Sequence, residues 1–78
     1  MIDMVEKEID MCGLYCPEPV FRTKIEMEKL QTGDTLTVSA DDPDAETDIN
    51  TWAKRSGTEI LSMSKDNTKV TFKLKKVK

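Results

Sequence analysis

Met11-Cys12-Gly13-Leu14-Tyr15-Cys16-Pro17-Glu18-Pro19-Val20 joins a stretch that alternates every second residue to one that repeats every third or fourth. That change of period decides the fold. On its amino-terminal side, Lys7-Glu8-Ile9-Asp10-Met11 alternates polar and apolar residues, which predicts a first strand with one buried face. Gly13 supplies a turn, and Pro17 and Pro19 suit a first helical turn, where a missing N–H has no intrahelical partner in any case. A helix is therefore expected to begin near Pro17. Along it Val20, Thr23, Met27 and Leu30 form a stripe that faces a sheet, with Phe21 beside them and Arg22, Lys24, Glu26, Glu28 and Lys29 largely elsewhere. Gly33 is the expected stop, because glycine takes the left-handed conformation that a terminating turn requires.

Working outward, Thr35-Leu36-Thr37-Val38-Ser39-Ala40 reads as a second strand, broken by Asp41-Asp42-Pro43-Asp44. A second helix over 43–56 places Ala45, Ile49, Trp52 and Ala53 on one face, with acids in its first turns, Lys54 and Arg55 in its last, and Gly57 after it. Residues 58–64 and 69–75 flank the turn-prone pair Asp66-Asn67 and predict a closing hairpin. The order is βαβαββ. Helices with one apolar face and a sheet with one apolar face give an α+β fold: a two-layer sandwich, a four-stranded mixed sheet with both helices on one face, forming a single domain over 1–78.

Seventy-eight residues, 37% hydrophobic and 35% charged, describe a globular chain with one modest core. No apolar run is long enough to span a bilayer, and the acidic start Met1-Ile2-Asp3-Met4-Val5-Glu6 is unlike a secretory signal, so a cytoplasmic location is expected. A net charge of −3 excludes bulk attraction to nucleic acid, and no direct nucleic acid or membrane partner is expected. The charge is unevenly placed. Asp41, Asp42, Asp44, Glu46 and Asp48 crowd one segment, and Lys69, Lys73, Lys75, Lys76 and Lys78 crowd the carboxyl end. The plainer account is that the acids cap a helix and the lysines solubilise an edge strand; docking is the alternative.

Cys16 directly precedes Pro17, at the expected helix start, where unpaired N–H groups and the helix dipole stabilise an anion. A thiol so placed can have its pKa drawn from about 8.5 into a range of roughly 3.5 to 7.5, and the thiolate is the nucleophile. Pro17 and Pro19 stiffen the approach and hold the sulfur outward. A lone cysteine in an arbitrary sequence is more often a small apolar residue; here position and prolines favour chemistry. The chain contains no histidine, which removes the Cys-His pair of a cysteine hydrolase. Two cysteines with three residues between them do not make a four-ligand zinc site, so neither metal nor cofactor is expected.

Asp10-x-x-Gly13-Leu14-x-Cys16-Pro17-x-Pro19-Val20 resembles the signature of the TusA/SirA-like sulfur carrier family, and Gly33, Asp41-Asp42-Pro43, Asp48-Ile49, Trp52 and Gly57 also fall where that family has them. The resemblance implies the same βαβαββ sandwich. It also implies a role for Cys16: acceptance of a sulfane sulfur as a persulfide from a cysteine desulfurase, rhodanese-like or DsrE-like donor, and relay to an acceptor protein. The family's outlets include tRNA thiolation, cofactor biosynthesis and sulfur metabolism. Such a chain is a carrier, a monomer or weak dimer, and not a stand-alone turnover enzyme; Gly13, Leu14, Pro17, Glu18 and Pro19 support Cys16.

This sequence departs from the family pattern in two places. Cys12 occupies a position that is often arginine or another polar residue, where it is either a strand-end packing residue or a resolving thiol for Cys16. Glu26 stands where the family has a small apolar residue and Ile25 where it has a basic one, which implies local repacking or a shifted stripe. Glu18 reads as a favourable first-turn acid, and Trp52, Met4, Met27 and Met63 as packing. Met11 reads as packing too, near enough to the cysteine loop to line a docking rim. Two other functions compete with carriage: a thiol redox protein using Cys12 and Cys16, and a protein-binding adapter that tolerates loss of Cys16.

Overall fold

A computed structural model describes residues 5–15 and 18–77; residues 1–4, Cys16, Pro17 and Lys78 lie outside the described residues. The elements are β1 (Glu6–Asp10), α1 (Glu18–Glu28), β2 (Thr35–Ala40), α2 (Ala45–Ser56), β3 (Glu59–Asp66) and β4 (Lys69–Lys75). They form one four-stranded sheet in the order β1-β2-β4-β3. β1 runs parallel to β2, as a strand–helix–strand crossover requires, while β4 lies antiparallel to both β2 and β3.

The pairings separate the two faces of the sheet. Ile9 pairs with Val38, Val38 with Phe72, and Leu36 with Leu74, so these side chains share the helix side with Ala40 and Val70. There they meet Thr23, Met27 and Leu30 from α1 and its end, and Ala45, Ile49 and Ala53 from α2. Phe72, Leu36, Ile49 and Leu74 are essentially inaccessible and form the centre of the core. The opposite face carries Glu6, Glu8 and Asp10 on β1, Thr35, Thr37 and Ser39 on β2, and Lys69, Thr71, Lys73 and Lys75 on β4. It is wholly polar across these three strands. Lys73 Nζ reaches Glu6 at 3.7 Å across β2, and the Ser39 and Thr71 hydroxyls bond at 3.3 Å.

Several expectations need correction. The lysine-bearing strand β4 is an interior strand; the edges are β1 and β3. Along β3 a register shift between Ile60 and Ser62 leaves Leu61 unpaired in a bulge, a device that discourages edge-to-edge association. Met63 is not core, being 44% exposed on that edge. The hairpin loop is Asn67-Thr68, one residue later than expected, with Asn67 at φ +56° in the left-handed region that asparagine tolerates. α1 ends at Glu28, and Gly33 lies beyond it in the connection to β2, where its N–H donates to the Lys76 carbonyl at 2.7 Å. The end of α1 is capped from a distance: Lys76 Nζ donates to the carbonyls of Leu30 at 2.6 Å and Met27 at 3.0 Å. Gly57 does stop α2, at φ +78°, with its capping N–H returned to the Ala53 carbonyl.

The stripe of α1 is not shifted. Thr23, Met27 and Leu30 are buried and Val20 is half-buried, while Phe21 and Ile25 face outward. Glu26 keeps its largely covered place by ion pairing with Lys7 of β1 and with Lys29 at 3.4 Å. Its carboxyl is held below the usual range, first by the hydrogen bond from Lys7.

Candidate functional site

The connection from β1 to α1 is fastened at both ends by backbone and carboxylate bonds. Asp10 Oδ1 accepts the Cys12 N–H at 3.0 Å, and Asp41 Oδ1, from the connection after β2, accepts the Gly13 N–H at 2.9 Å. Gly13 has φ +90°, a conformation that side-chain-bearing residues rarely adopt, so the turn depends on glycine even though open space surrounds it. Leu14 returns its N–H to the Met11 carbonyl at 3.1 Å and packs half-buried against the core. Glu18, exposed at the first turn of α1, donates its N–H to the Tyr15 carbonyl at 2.8 Å. Pro19 is fully buried, and its carbonyl accepts the Thr23 hydroxyl at 2.8 Å, so this proline anchors the helix start in the core. Cys16 and Pro17, the centre of the expected site, fall between these two fastened stretches in sequence and outside the described residues.

Met11 is 2% exposed and its sulfur receives the Thr23 hydroxyl at 3.7 Å. It packs in the core, as expected, and also lines the groove beside the cysteine loop. Cys12, in contrast, is exposed, which removes the expectation that it packs at the end of the strand. Its thiol pKa is raised, foremost by its hydrogen bond to Asp10, then by desolvation and by the charges of Asp10 and Asp41. The same backbone and thiol bonds hold the Asp10 carboxyl below the usual range. Cys12 is thus a protonated donor to a carboxylate at neutral pH, the opposite of an activated nucleophile.

Beside this loop, a groove of about 400 Å³ runs between the outer edge of β1 and α1, lined by residues that include Ile9, Cys12, Leu14, Arg22 and Glu26. Tyr15 (75% exposed), Phe21 and Ile25 add apolar surface around the start of α1, the latter two one helical turn apart. Among the described residues no group of three or more His, Cys, Asp or Glu side chains is arranged to hold a metal ion, and no helix is long and apolar enough to cross a membrane.

The sequence reading missed the fastening roles of Asp10 and Asp41. Asp41 does not cap the second helix with the other acids of its segment; the residue that organises the start of α2 is Asp42, which accepts the Asp44 N–H at 3.0 Å and, through its carbonyl, the Ala45 N–H at 3.0 Å. The available signal for Asp10 was its place two residues before Cys12, the spacing of a side chain that bonds back to its own loop.

The fold and the loop together define a small two-layer α+β protein with a cysteine-bearing loop fastened ahead of its first helix. Its relatives say which kind. The family described as "Sulfurtransferase TusA" matches residues 7–76, and the chain belongs to that TusA/SirA-like family of sulfur carrier proteins. A putative sulfur carrier protein of Archaeoglobus fulgidus is 46% identical over 59 residues, covering 76% of this chain and 77% of the relative. Sulfur carrier protein TusA of Allochromatium vinosum is 34% identical over 71 residues, 91% of this chain and 93% of the relative. The crystal structure of a SirA-like protein from Desulfitobacterium hafniense superposes with a TM-score of 0.74 at 28% identity, covering 92% of this chain and 99% of that one.

Proposed function

We propose that Cys16 carries sulfane sulfur as a persulfide between a donor protein and an acceptor protein in the cytoplasm. The observation that supports this reading is the fastened stretch before the motif's cysteine, where Gly13 is tied to Asp41 and Cys12 to Asp10 in the loop that leads toward α1. The helix terminus there favours an anion, and family membership supports transfer of sulfur over any other use of a thiolate. In the loading step the Cys16 thiolate attacks the outer sulfur of the donor persulfide. A sulfur–sulfur bond forms at Cys16, the donor's sulfur–sulfur bond breaks, and the donor leaves as a thiolate, with one proton following the transferred sulfur and no net oxidation. Unloading repeats this with the acceptor's thiolate. tRNA thiolation, cofactor biosynthesis and sulfur metabolism are the outlets for which such an acceptor would stand.

Intact-protein mass spectrometry after incubation with a cysteine desulfurase, cysteine and excess carrier tests the reading. One added sulfur mass, abolished in Cys16→Ser and retained in Cys12→Ser, is the expected result. An added mass that survives Cys16→Ser removes the proposal. The dithiol alternative predicts a reversible loss of two hydrogens that needs both cysteines; the raised pKa of Cys12 opposes it. The adapter alternative predicts partner binding with no mass change at all.

A further inference from the structure

The geometry points to the free edge of β1 as the docking strand for an extended, basic segment of the protein that exchanges sulfur with this carrier. The direction of the backbone groups follows from the register. Val5 gives its carbonyl to Thr35 N–H at 3.0 Å and Met11 gives its N–H to Ser39 carbonyl at 2.7 Å, while Glu6, Glu8 and Asp10 pair with Thr35, Thr37 and Ser39. In a parallel ladder, residues 5, 7, 9 and 11 then use their backbone groups toward β2, and Glu6, Glu8 and Asp10 point theirs outward. Among the described residues no backbone group of another element bonds to those outward groups.

The same three residues place carboxylates on the polar face of the sheet, about 7 Å apart along the strand. Asp10 bonds to the loop and Glu6 pairs loosely with Lys73, leaving Glu8 with no ion pair among the described residues. An added strand therefore meets an acidic row on one face and, on the other, the groove lined by Ile9 and Leu14. Opposite charges across paired strands attract and like charges repel. The complementary segment alternates basic residues with small apolar ones.

Charge also excludes the simplest competitor, a second copy of this chain. Antiparallel pairing of β1 with itself about Glu8 sets Glu8 against Glu8 and Glu6 against Asp10, acid against acid at every outward position. The strand of this chain in which lysines alternate with apolar residues is β4, whose two edges are already bonded to β2 and β3, and Lys76 just beyond it is held by the end of α1. A separate basic protein is left. A strand added along β1 toward its carboxyl end arrives at Cys12 and the Cys16 loop, so docking delivers the partner to the reactive end of the molecule. Naming that partner a sulfur donor or acceptor rests on the carrier reading; the docking surface itself does not.

The test uses the Cys16→Ser chain, so that no sulfur chemistry enters, with isotope-labelled amides followed during titration with a synthetic hexapeptide of alternating lysine and valine. The outward amides of Glu6, Glu8 and Asp10 should shift and exchange more slowly with solvent, while those of Lys7 and Ile9 hold. Glu8→Lys should weaken binding about fivefold to tenfold and Glu8→Gln less. No binding at millimolar peptide, equal binding of an alternating glutamate–valine peptide, or shifts confined to α1 or β3 would overturn the inference. A negative result here leaves the mass-shift assay for Cys16 unaffected, so the two failures are separable.

Discussion

Gly13 donates its N–H to Asp41 Oδ1 at 2.9 Å, a bond between residues 28 apart that ties the cysteine-bearing loop to the connection leading into α2. Gly13 has a positive φ with open space where a side chain would stand, and its N–H is the group of this loop bonded to the connection after β2. The acceptor comes from a different crossover, and the position of the loop is therefore set by the fold as a whole.

Asp41→Ala removes that acceptor. A hydrogen bond to a charged, partly solvated group contributes about 1 kcal/mol, which in a domain of this size corresponds to a fall in Tm of roughly 4–8 °C. Sulfur transfer should slow more than stability alone explains, because the loop loses its geometry while the chain stays folded. Asp41→Asn keeps an oxygen acceptor and should recover most of the loss. Thermal melts and persulfide loading rates on the same samples check both; equal rates in Asp41→Ala and the parent would sever the link between this bond and the chemistry.

Cys12 should alkylate slowly at neutral pH. Its folded pKa lies above the unfolded value, so the stabilisation it provides through Asp10 is complete below the unfolded pKa near 8.5 and is lost as pH rises through the folded value. Asp10→Asn removes the carboxylate that holds the proton and should move the midpoint of iodoacetamide reactivity at Cys12 to lower pH. The measurement is best made by peptide mapping in a Cys16→Ser background. An unchanged midpoint would show that Asp10 does not govern this thiol.

The legibility of this fold in the sequence has a physical pattern. β2 and β4 were bounded to the residue, because Thr35–Ala40 and Lys69–Lys75 alternate strictly and lie between neighbours that bury one face. The stripe of α1 and the stop at Gly57 were legible for the same reason: each is a local, periodic or conformational demand. What escaped were bonds between distant residues. Lys76 capping α1, Asp41 holding Gly13, and Lys7 covering Glu26 leave no trace in local spacing, since each joins side chains brought together only by the crossovers. The strand order also had to be seen, and it moved the lysine-rich strand from the edge to the interior. The family was legible from the sequence motif, and the bonds by which Asp10 and Asp41 fasten the loop were not.

Lys76→Met should destabilise the protein through α1. Its ammonium supplies a hydrogen bond to the Leu30 carbonyl and a second bond to the Met27 carbonyl, which also accepts the Leu30 N–H at 3.1 Å, placed where the helix dipole favours a cation. Loss of about 1–2 kcal/mol is expected. Amide exchange should accelerate at the end of α1, around Glu26 to Leu30, and hold steady in α2. Uniform acceleration across both helices would indicate global loosening in place of a lost cap.

Glu26 offers a pH test of the carboxylate that flanks the apolar stripe of α1. Its folded pKa is lowered, chiefly by the hydrogen bond from Lys7, so its stabilisation is present above the unfolded value near 4.3 and is lost as pH falls through the folded one. Lys7→Met should therefore melt a few degrees below the parent at pH 7, with the gap narrowing at acid pH as Glu26 takes up its proton. Lys29, at 3.4 Å, remains as a weaker partner and keeps the loss moderate. Adding Glu26→Ala to Lys7→Met removes the largely covered charge together with its partner and should restore much of the difference, as replacing a whole ion pair is less costly than breaking one. A gap between Lys7→Met and the parent that is the same at both pH values would assign the effect to the lysine's packing and not to its charge.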